Sequence, residues 1–245
     1  MTSAEKQKLA GFIDLAGDFL TSGYKSEPIE YNFDQIEVKT NTFKSFNTPQ
    51  ETDSLEVIAS GIRTCKNCPL ASTRKNTVPG EGVNNPLVLV IGEGPGAEED
   101  RQGRPFVGAA GQLLYKMLSA INLSRTSNCF IANVVKCRPP DNRDPHPAER
   151  EACAHFLQRQ IAVLKPKFIL LVGNVAIQCL LNAKEPVGRI HGKFIDYKTG
   201  DMTIPLMVTY HPSAVLRNDE YKRPVWEDLK NLKNRIETEE RAVNN

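Results

Sequence analysis

The chain lacks the sequence features of membrane and secreted proteins. Its longest apolar runs, such as residues 168–173, are far too short to span a bilayer. The polar start, Met-Thr-Ser-Ala-Glu-Lys, has none of the features of a signal peptide, and no internal repeat is visible. We therefore expect a cytoplasmic protein without membrane contacts, in which 245 residues bury one large core or one domain plus an extension.

The chain also has little net charge, although that charge is unevenly spread. The formal net charge is +2, yet residues 1–60 contain five Lys or Arg against ten Asp or Glu, so that the remainder carries +7. A basic body with an acidic leader would suit a phosphate-rich partner. Ordinary surface variation explains the same pattern equally well.

Disulfide bonds are not expected for the six cysteines, because the cytoplasm keeps thiols reduced. Metal binding or buried packing must account for them instead. Cys65 and Cys68 form a Cys-x-x-Cys pair, and Cys137 and Cys153 flank the loop 138–150, in which residues 138–146 contain three prolines. Four thiolates are what an iron–sulfur cluster or a structural zinc requires, and the spacing does not decide between these two. The other two cysteines lie in or beside apolar segments and are expected in the core.

Strands and helices are predicted to alternate along the chain. The strands are the apolar runs at residues 87–91, 130–135, 168–172 and 205–210, and the helices span 5–21, 55–62, 111–121, 147–164, 175–181 and 226–242. This alternation predicts an α/β fold, a three-layer α/β/α arrangement with a central four-stranded parallel sheet. Residues 1–53, an amphipathic helix plus a polar linker, form a segment of their own ahead of a domain at 54–245.

The first predicted strand runs into a glycine-rich turn that carries several carboxylates. Residues 93–106 are expected to line a pocket, because the site of a parallel sheet lies beyond the carboxyl ends of its strands. The turn matches G-x-G-x-x-A, but carboxylates at Glu98, Glu99 and Asp100 would occupy the place of a pyrophosphate. Water activation or stabilisation of positive charge is therefore favoured over nucleotide binding. Alternatively, these three carboxylates only favour a helix N-terminus.

Several further motifs, taken together, resemble one known family. They are Gly92-Glu-Gly-Pro-Gly-Ala-Glu-Glu-Asp100, Gly103-Arg-Pro-Phe-Val-Gly108, Asn133-Val-Val-Lys-Cys-Arg-Pro-Pro140, the four cysteines, and His211-Pro-Ser-Ala-Val-Leu-Arg217. In this order they resemble the family 4 uracil-DNA glycosylases, the iron–sulfur members of the uracil-DNA glycosylase superfamily. The resemblance covers residues from about 60 to 233.

The resemblance implies a cofactor and a base pocket. Cys65, Cys68, Cys137 and Cys153 would hold a [4Fe–4S] cluster. Gly92 and the residues around it would form a uracil pocket at the carboxyl edge of the sheet.

Three side chains would then handle the flipped base. Phe106 would stack on it, and Asn133 would hydrogen-bond the O4 and N3–H edge and so reject cytosine. His211 would donate to O2 as negative charge builds there, which is where such a reaction needs a donor.

Two glycines of the turn depart from other branches of the superfamily, which carry Asp and Tyr at the positions of Gly94 and Gly96. By default Glu93 takes the role of activating water or stabilising the sugar cation, and Glu99 that of the wall that excludes the methyl group of thymine. The loop that enters the duplex would contact DNA through Ser213, Leu216 and Arg217. Alternatively, Leu216 is part of the core.

His191 is a second departure. It lies in Gly188-Arg-Ile-His-Gly192, and a relative that traps uracil-DNA covalently uses a His in such a loop, whereas ordinary members more often have Leu-Arg-Gly. The favoured interpretation is a DNA contact, and the alternative is a nucleophile.

The leading hypothesis is therefore a uracil-DNA glycosylase that acts on single- and double-stranded DNA as a monomer and leaves an abasic site. The rivals are a uracil-DNA binding protein that forms a covalent adduct through His191, and a non-catalytic iron–sulfur module that binds nucleic acid. The apolar face of the N-terminal helix would pack on the domain or dock on a partner protein such as a replication clamp.

Overall fold

The computed structural model describes residues 53–182 and 185–244. Its helices are α1 (Leu55–Thr64), α2 (Leu70–Thr73), α3 (Ala97–Gln102), α4 (Ala109–Ser119), α5 (Pro147–Leu164), α6 (Asn174–Leu181), α7 (Val187–Ile190), α8 (Pro212–Arg217) and α9 (Lys222–Asn244). Its strands are β1 (Glu81–Gly82), β2 (Val88–Gly92), β3 (Cys129–Asn133), β4 (Phe168–Val172), β5 (Phe194–Thr199) and β6 (Met202–Thr209). The helix predicted at 5–21 and the linker after it lie outside the described residues.

The strands form one six-stranded sheet in the order β1-β3-β2-β4-β6-β5. The middle four strands are parallel, which confirms the predicted parallel sheet and its α/β class. In β2, β3 and β4 every residue is buried, as expected for short apolar strands that are covered on both faces. The register places Gly92 opposite Asn133 at the carboxyl ends of β2 and β3.

Two antiparallel edge strands were not predicted. β1 has only two residues, and β5 pairs with β6 across a tight turn in which Gly200 has a positive φ of 54°. β5 reads Phe-Ile-Asp-Tyr-Lys-Thr, and only Tyr197 is buried. An edge strand with such polar residues gives no sustained apolar run, so its sequence does not stand out from a loop.

Helices cover both faces of the sheet, which gives the predicted three layers. The residues of β2, β3 and β4 alternate between the faces because successive side chains of a strand point to opposite sides. On one face Val88, Val90 and Ile131 pack with residues of α4, α8 and α9 in one apolar cluster. On the other face α6 contacts β2 and β4, and α1 packs on α5. Among the described helices, none is both long and apolar enough to cross a membrane.

Gly111 permits a close contact between helix α4 and the loop before it. A Cβ at this position would overlap the backbone of Phe106, whereas a Cβ at Gly61 in α1 would only make an ordinary 3.4 Å contact with the Phe156 ring.

We therefore expect Gly111→Ala to lower the free energy of unfolding by about 1–3 kcal/mol, as overpacking against backbone does. Gly61→Ala is the control, and it should raise stability by about 0.5–1 kcal/mol because alanine favours the helix. Urea unfolding measures both changes. Equal stabilities for Gly111→Ala and the wild type would contradict this packing.

Candidate active site

A cavity of about 510 Å³ opens at the carboxyl ends of the parallel strands. It is lined by the turn that follows β2, by the end of β3, by Gly173 after β4 and by His211 after β6. This is the edge where open parallel sheets bind their ligands. The volume lies within the usual range of small-molecule sites, which is roughly 300–1,000 Å³.

Asn133 stands at the end of β3 with its side chain in this cavity. It is only 1% exposed, and its Oδ1 is the one buried side-chain polar atom without a hydrogen-bond partner in the described part of the chain. A Cβ on Gly92 would lie 2.6 Å from this oxygen and 2.6 Å from the Phe106 ring. Gly92 therefore allows the amide of Asn133 and the ring of Phe106 to share one wall of the cavity.

The loop that carries Phe106 is held in a strained conformation. Phe106 is 7% exposed and has φ +51°, in the left-handed region that costs a non-glycine residue about 1–3 kcal/mol. The guanidinium of Arg125 donates to the carbonyl oxygens of Pro105 at 2.8 Å and Phe106 at 3.0 Å. Sequence reasoning missed Arg125, which lies in a polar connection without any motif.

Glu99 holds the other side of the same loop. One of its carboxylate oxygens accepts from the backbone N–H groups of Val107 and Gly108, both at 2.8 Å, and the other accepts from that of Gly96 at 3.1 Å. These three bonds join the glycine-rich turn to the Phe106 loop. Glu99 also lines the cavity, as predicted for a residue of the base pocket.

The two acidic neighbours of Glu99 serve the local structure. Glu98 accepts from Arg101 at 3.0 Å within α3, and buried Asp100 accepts from the backbone N–H groups of Lys75 and Asn76. Glu98 and Asp100 lie in the first turn of α3, as in the alternative in which these carboxylates favour a helix N-terminus, and Asp100 also holds the loop at residues 75–76.

His211 projects into the cavity directly after β6. Its Nδ1 accepts from the backbone N–H of Ser213 at 3.1 Å, with the Ser213 hydroxyl at 2.8 Å, so the ring proton of the neutral imidazole is on Nε2. Burial lowers the pKa of His211 to about 4, an effect that Arg217 strengthens and Glu99 opposes. The ring lies 5.8 Å from that of Phe106, centroid to centroid.

Glu93 is the first residue of the turn after β2, and it lines the same cavity. Burial raises its pKa to about 7, with the charge of Asp144 adding to the rise and that of Arg150 opposing it. A carboxyl with a pKa near neutral pH is suited to general acid–base chemistry. Asp144 also lines the cavity, and sequence reasoning missed it because it lies in an irregular proline-rich loop.

Gly94 and Gly96 of the turn lie close against neighbouring side chains, so a Cβ at either position would be crowded. A Cβ at Gly94 would lie 2.8 Å from a methyl group of Val135, and one at Gly96 would lie 2.8 Å from Glu99 Oε2. A larger side chain at either position would therefore have to displace its neighbour, and the Glu99 carboxylate occupies the space beside position 96.

His191 lies outside the set of residues that line the cavity. Its Nδ1 is 2.8 Å from a carboxylate oxygen of Asp228, a buried residue whose other oxygen accepts from the Thr209 hydroxyl at 2.6 Å. Its ring packs beside that of Tyr210, which does line the cavity. Sequence reasoning missed Asp228, which lies 37 residues further along the chain in a charged helix.

Helix α8 presents the predicted DNA-contacting side chains at the edge of the cavity. Leu216 is 52% exposed, so it is not part of the core, the alternative that the sequence left open. Arg217 and Ser213 line the cavity.

The four cysteines at positions 65, 68, 137 and 153 line one small cavity between α1, α2 and α5. Arg74 donates to the Sγ of Cys137 at 3.0 Å and to the carbonyl oxygen of Cys65 at 2.7 Å. In the described ranges no group of three or more His, Cys, Asp or Glu side chains is placed to hold a metal ion. The four cysteines therefore lie around one space.

A buried lysine also lines the cysteine cavity. Lys136 is 1% exposed, and its Nζ donates to the carbonyl oxygen of Asn133 at 2.8 Å and to the Oε1 of Gln160 at 2.7 Å. Burial lowers the pKa of Lys136 to about 8, against the opposing effect of the Cys153 and Cys137 thiolates. Sequence reasoning missed Lys136. Its position between the end of a buried strand and a cysteine is the signal that could have identified it.

Comparison with known proteins places this site in a family. A family model described as the uracil DNA glycosylase superfamily matches residues 79–230. The chain is similar to the type-4 uracil-DNA glycosylase of Pyrobaculum aerophilum, with 45% identity over 69% of this chain and 87% of the relative. It is 42% identical to the type-4 enzyme of Thermotoga maritima, over 76% of this chain and 96% of the relative. It is 40% identical to the type-4 uracil-DNA glycosylase of Saccharolobus solfataricus, over 79% of this chain and 91% of the relative.

The environment of Glu93 makes a prediction about its titration. We expect its carboxyl to titrate near pH 7 in carbon-13 NMR of protein labelled at glutamate carboxyl groups. Asp144→Asn should lower this pKa because it removes a like charge, and Arg150→Gln should raise it because it removes an opposite one. A wild-type Glu93 that titrates near the ordinary 4.5 would contradict the buried geometry.

Proposed function

The chain belongs to the type-4 uracil-DNA glycosylases of the uracil-DNA glycosylase superfamily, and we propose that it hydrolyses the N-glycosidic bond of deoxyuridine in DNA. The products are free uracil and an abasic site, from which base-excision repair starts. The substrate enters the cavity as a flipped base, since the reacting bond cannot be reached inside a duplex.

The observation that carries this proposal is the unpaired Oδ1 of Asn133 beside Phe106. A buried amide oxygen without a partner costs free energy unless a ligand supplies a donor. The N3–H of uracil is such a donor, and the amide N–H₂ of Asn133 can donate to the neighbouring O4. Cytosine lacks a hydrogen at N3 and carries an amino group at position 4, so it would leave both groups of the amide mismatched.

His211 supplies the hydrogen bond that favours bond cleavage. Its Nδ1 is engaged with Ser213, so Nε2–H is the donor that faces the cavity. Negative charge grows on uracil O2 as the glycosidic bond breaks, and a donor held in place stabilises that charge without moving. With a pKa of about 4 the ring is neutral at physiological pH, so it donates a hydrogen bond without transferring a proton.

Glu93 acts on the sugar side of the reaction. In its ionised form it orients the attacking water and offsets the positive charge of the oxocarbenium-like sugar. Burial, with the charge of Asp144 adding to its effect, raises the pKa of Glu93, so that this carboxyl is a stronger base than an ordinary glutamate. The Glu99 carboxylate, which fills the space beside Gly96, forms the wall that meets the methyl group of thymine.

The DNA strand runs past α8. Exposed Leu216 at the edge of the cavity is the wedge that fills the space left by the flipped base, and Arg217 contacts a phosphate. The Ser213 hydroxyl, which lies beside His211, and the exposed edge of His191 contact the backbone next to the flipped nucleotide. Single- and double-stranded DNA both suit this arrangement, since the cavity takes only the flipped base.

The cysteine cavity suits a [4Fe–4S] cluster held by Cys65, Cys68, Cys137 and Cys153. Four cysteines around one cavity are what a [4Fe–4S] cluster requires, and a structural zinc would take the same number of ligands. Arg74 and Lys136 provide positive charge next to thiolates that carry excess negative charge. When bound, the cluster cross-links the chain on both sides of the proline-rich loop and so stiffens the loop that carries Asp144.

The activity is tested with a uracil-containing oligonucleotide that is treated with alkali after incubation. The wild type should cut the strand at uracil and leave a thymine control intact. Glu93→Gln should lower the rate about 10²–10⁴-fold, and His211→Ala about 10²–10³-fold. The wild-type rate should rise with pH through about 7, where Glu93 ionises, and Glu93→Gln should remove this rise. Cluster-loaded wild type that releases no uracil would refute the proposal.

The same reactions decide the alternative, a covalent uracil-DNA adduct through His191. The contact between His191 and Asp228 favours this alternative. The carboxylate binds Nδ1 of the ring, so Nε2 is the nitrogen that would attack the sugar. On a denaturing gel, turnover leaves free protein, whereas trapping gives a band shifted by the oligonucleotide that His191→Ala abolishes. We expect turnover, because His191 is not among the residues that line the cavity.

Metal analysis tests the cofactor. We expect brown protein with about four irons per chain and matching sulfide. Cys65→Ala should lose most of the iron, whereas Cys179→Ala, which changes a buried cysteine in a different cavity, should keep it. Colourless wild-type protein with one zinc per chain would show that the site holds a structural zinc and not the cluster.

A further inference from the structure

One buried charge lies between the cysteine cavity and the base pocket. We propose that Lys136 is a positioning residue that couples these two sites: its ammonium fixes the main chain of Asn133 and supplies positive charge to the cysteine thiolates. This inference rests on the uracil pocket and the cluster proposed above.

The contact with Asn133 is direct. Strand pairing between β1 and β3 ends at Glu81 and Ile131, two residues before Asn133. The carbonyl oxygen of Asn133 accepts from Lys136 Nζ at 2.8 Å, in a region that water does not reach. A charged donor in such surroundings makes a strong hydrogen bond. Lys136 therefore restrains the backbone from which the amide of Asn133 projects into the base pocket.

Lys136 also lies beside the cysteines. It lines the same cavity as all four of them, and its neighbour in sequence is Cys137. A negative charge on the sulfur of Cys153 or Cys137 favours the charged form of Lys136. Its other hydrogen-bond acceptor, Gln160, is neutral and is itself held by donating to the Pro79 carbonyl oxygen at 2.7 Å.

A buried ammonium that is hydrogen-bonded only to neutral oxygens needs an anion nearby, because desolvation of an isolated charge is costly. Thiolates that hold a cluster supply that anion. The same ammonium then stabilises both the cluster and the end of β3. A change at either site therefore affects the other site through the side chain of Lys136.

Lys136→Met tests both contacts, because methionine fills a similar volume without charge or donors. In cluster-loaded protein we expect iron release to a chelator to become about tenfold faster, as for other residues that support metal ligands. We also expect the inhibition constant of free uracil to rise by about tenfold. Lys167→Met is the matched control, an exposed lysine at the opposite edge of the sheet, and it should leave both quantities unchanged.

A double-mutant cycle shows whether Lys136 acts through Asn133. If it does, the effects of Lys136→Met and Asn133→Ala on kcat/KM are less than multiplicative. Multiplicative effects would overturn the coupling, and so would values for Lys136→Met within twofold of the wild type in both iron release and uracil inhibition.

Gln160→Glu covers the case in which Lys136→Met does not fold. The added carboxylate accepts from the same ammonium and offsets its charge, so iron release should accelerate while inhibition by uracil stays close to that of the wild type. Unchanged iron release would overturn the proposal.

Failure of this inference is distinct from failure of the proposed function. Iron release does not depend on catalysis, and uracil release by the wild type is measured first.

Discussion

The site depends on the absence of a side chain at Gly92. The parallel register of β2 and β3 brings Gly92 and Asn133 side by side at the carboxyl edge of the sheet. The Asn133 amide oxygen and the Phe106 ring both approach to 2.6 Å from where a Cβ would lie. Any other residue would separate these two groups, and the cavity would lose the wall that combines a hydrogen-bonding edge with an aromatic face.

Burial in the cavity shifts the pKa values of Glu93 and His211 in opposite directions. Desolvation disfavours the charged form of each, so it raises the pKa of Glu93 to about 7 and lowers that of His211 to about 4. The result is a histidine that stays neutral and a carboxyl that ionises near physiological pH. One physical cause thus produces both the neutral donor and the basic carboxyl that the proposed reaction requires.

Several charged groups in or near the cavity hold other parts of the structure in place. Glu99 and Arg125 hold the loop of Phe106 from two sides, and their bonds offset the strain of its positive φ. Asp228 orients His191, and Lys136 joins the end of β3 to the cysteine cavity. These groups reach backbone and side chains far away in sequence, so the shape of the pocket depends on the whole domain.

The sequence by itself determined the α/β class, the four parallel strands and the positions of Asn133, Phe106 and His211 near one edge, because apolar runs and strand ends are local signals. The sequence did not predict the edge strands β1 and β5, because they have too few buried residues to form an apolar run. Only the tertiary structure decided that the carboxylates after β2 divide into a buried Glu93 with a raised pKa, a loop-holding Glu99 and a surface Glu98 paired with Arg101. Only it revealed Arg125, Asp144 and Lys136 beside the site. Burial, hydrogen-bond partners and nearby charges arise from contacts between distant segments, and these are set only when the chain has folded.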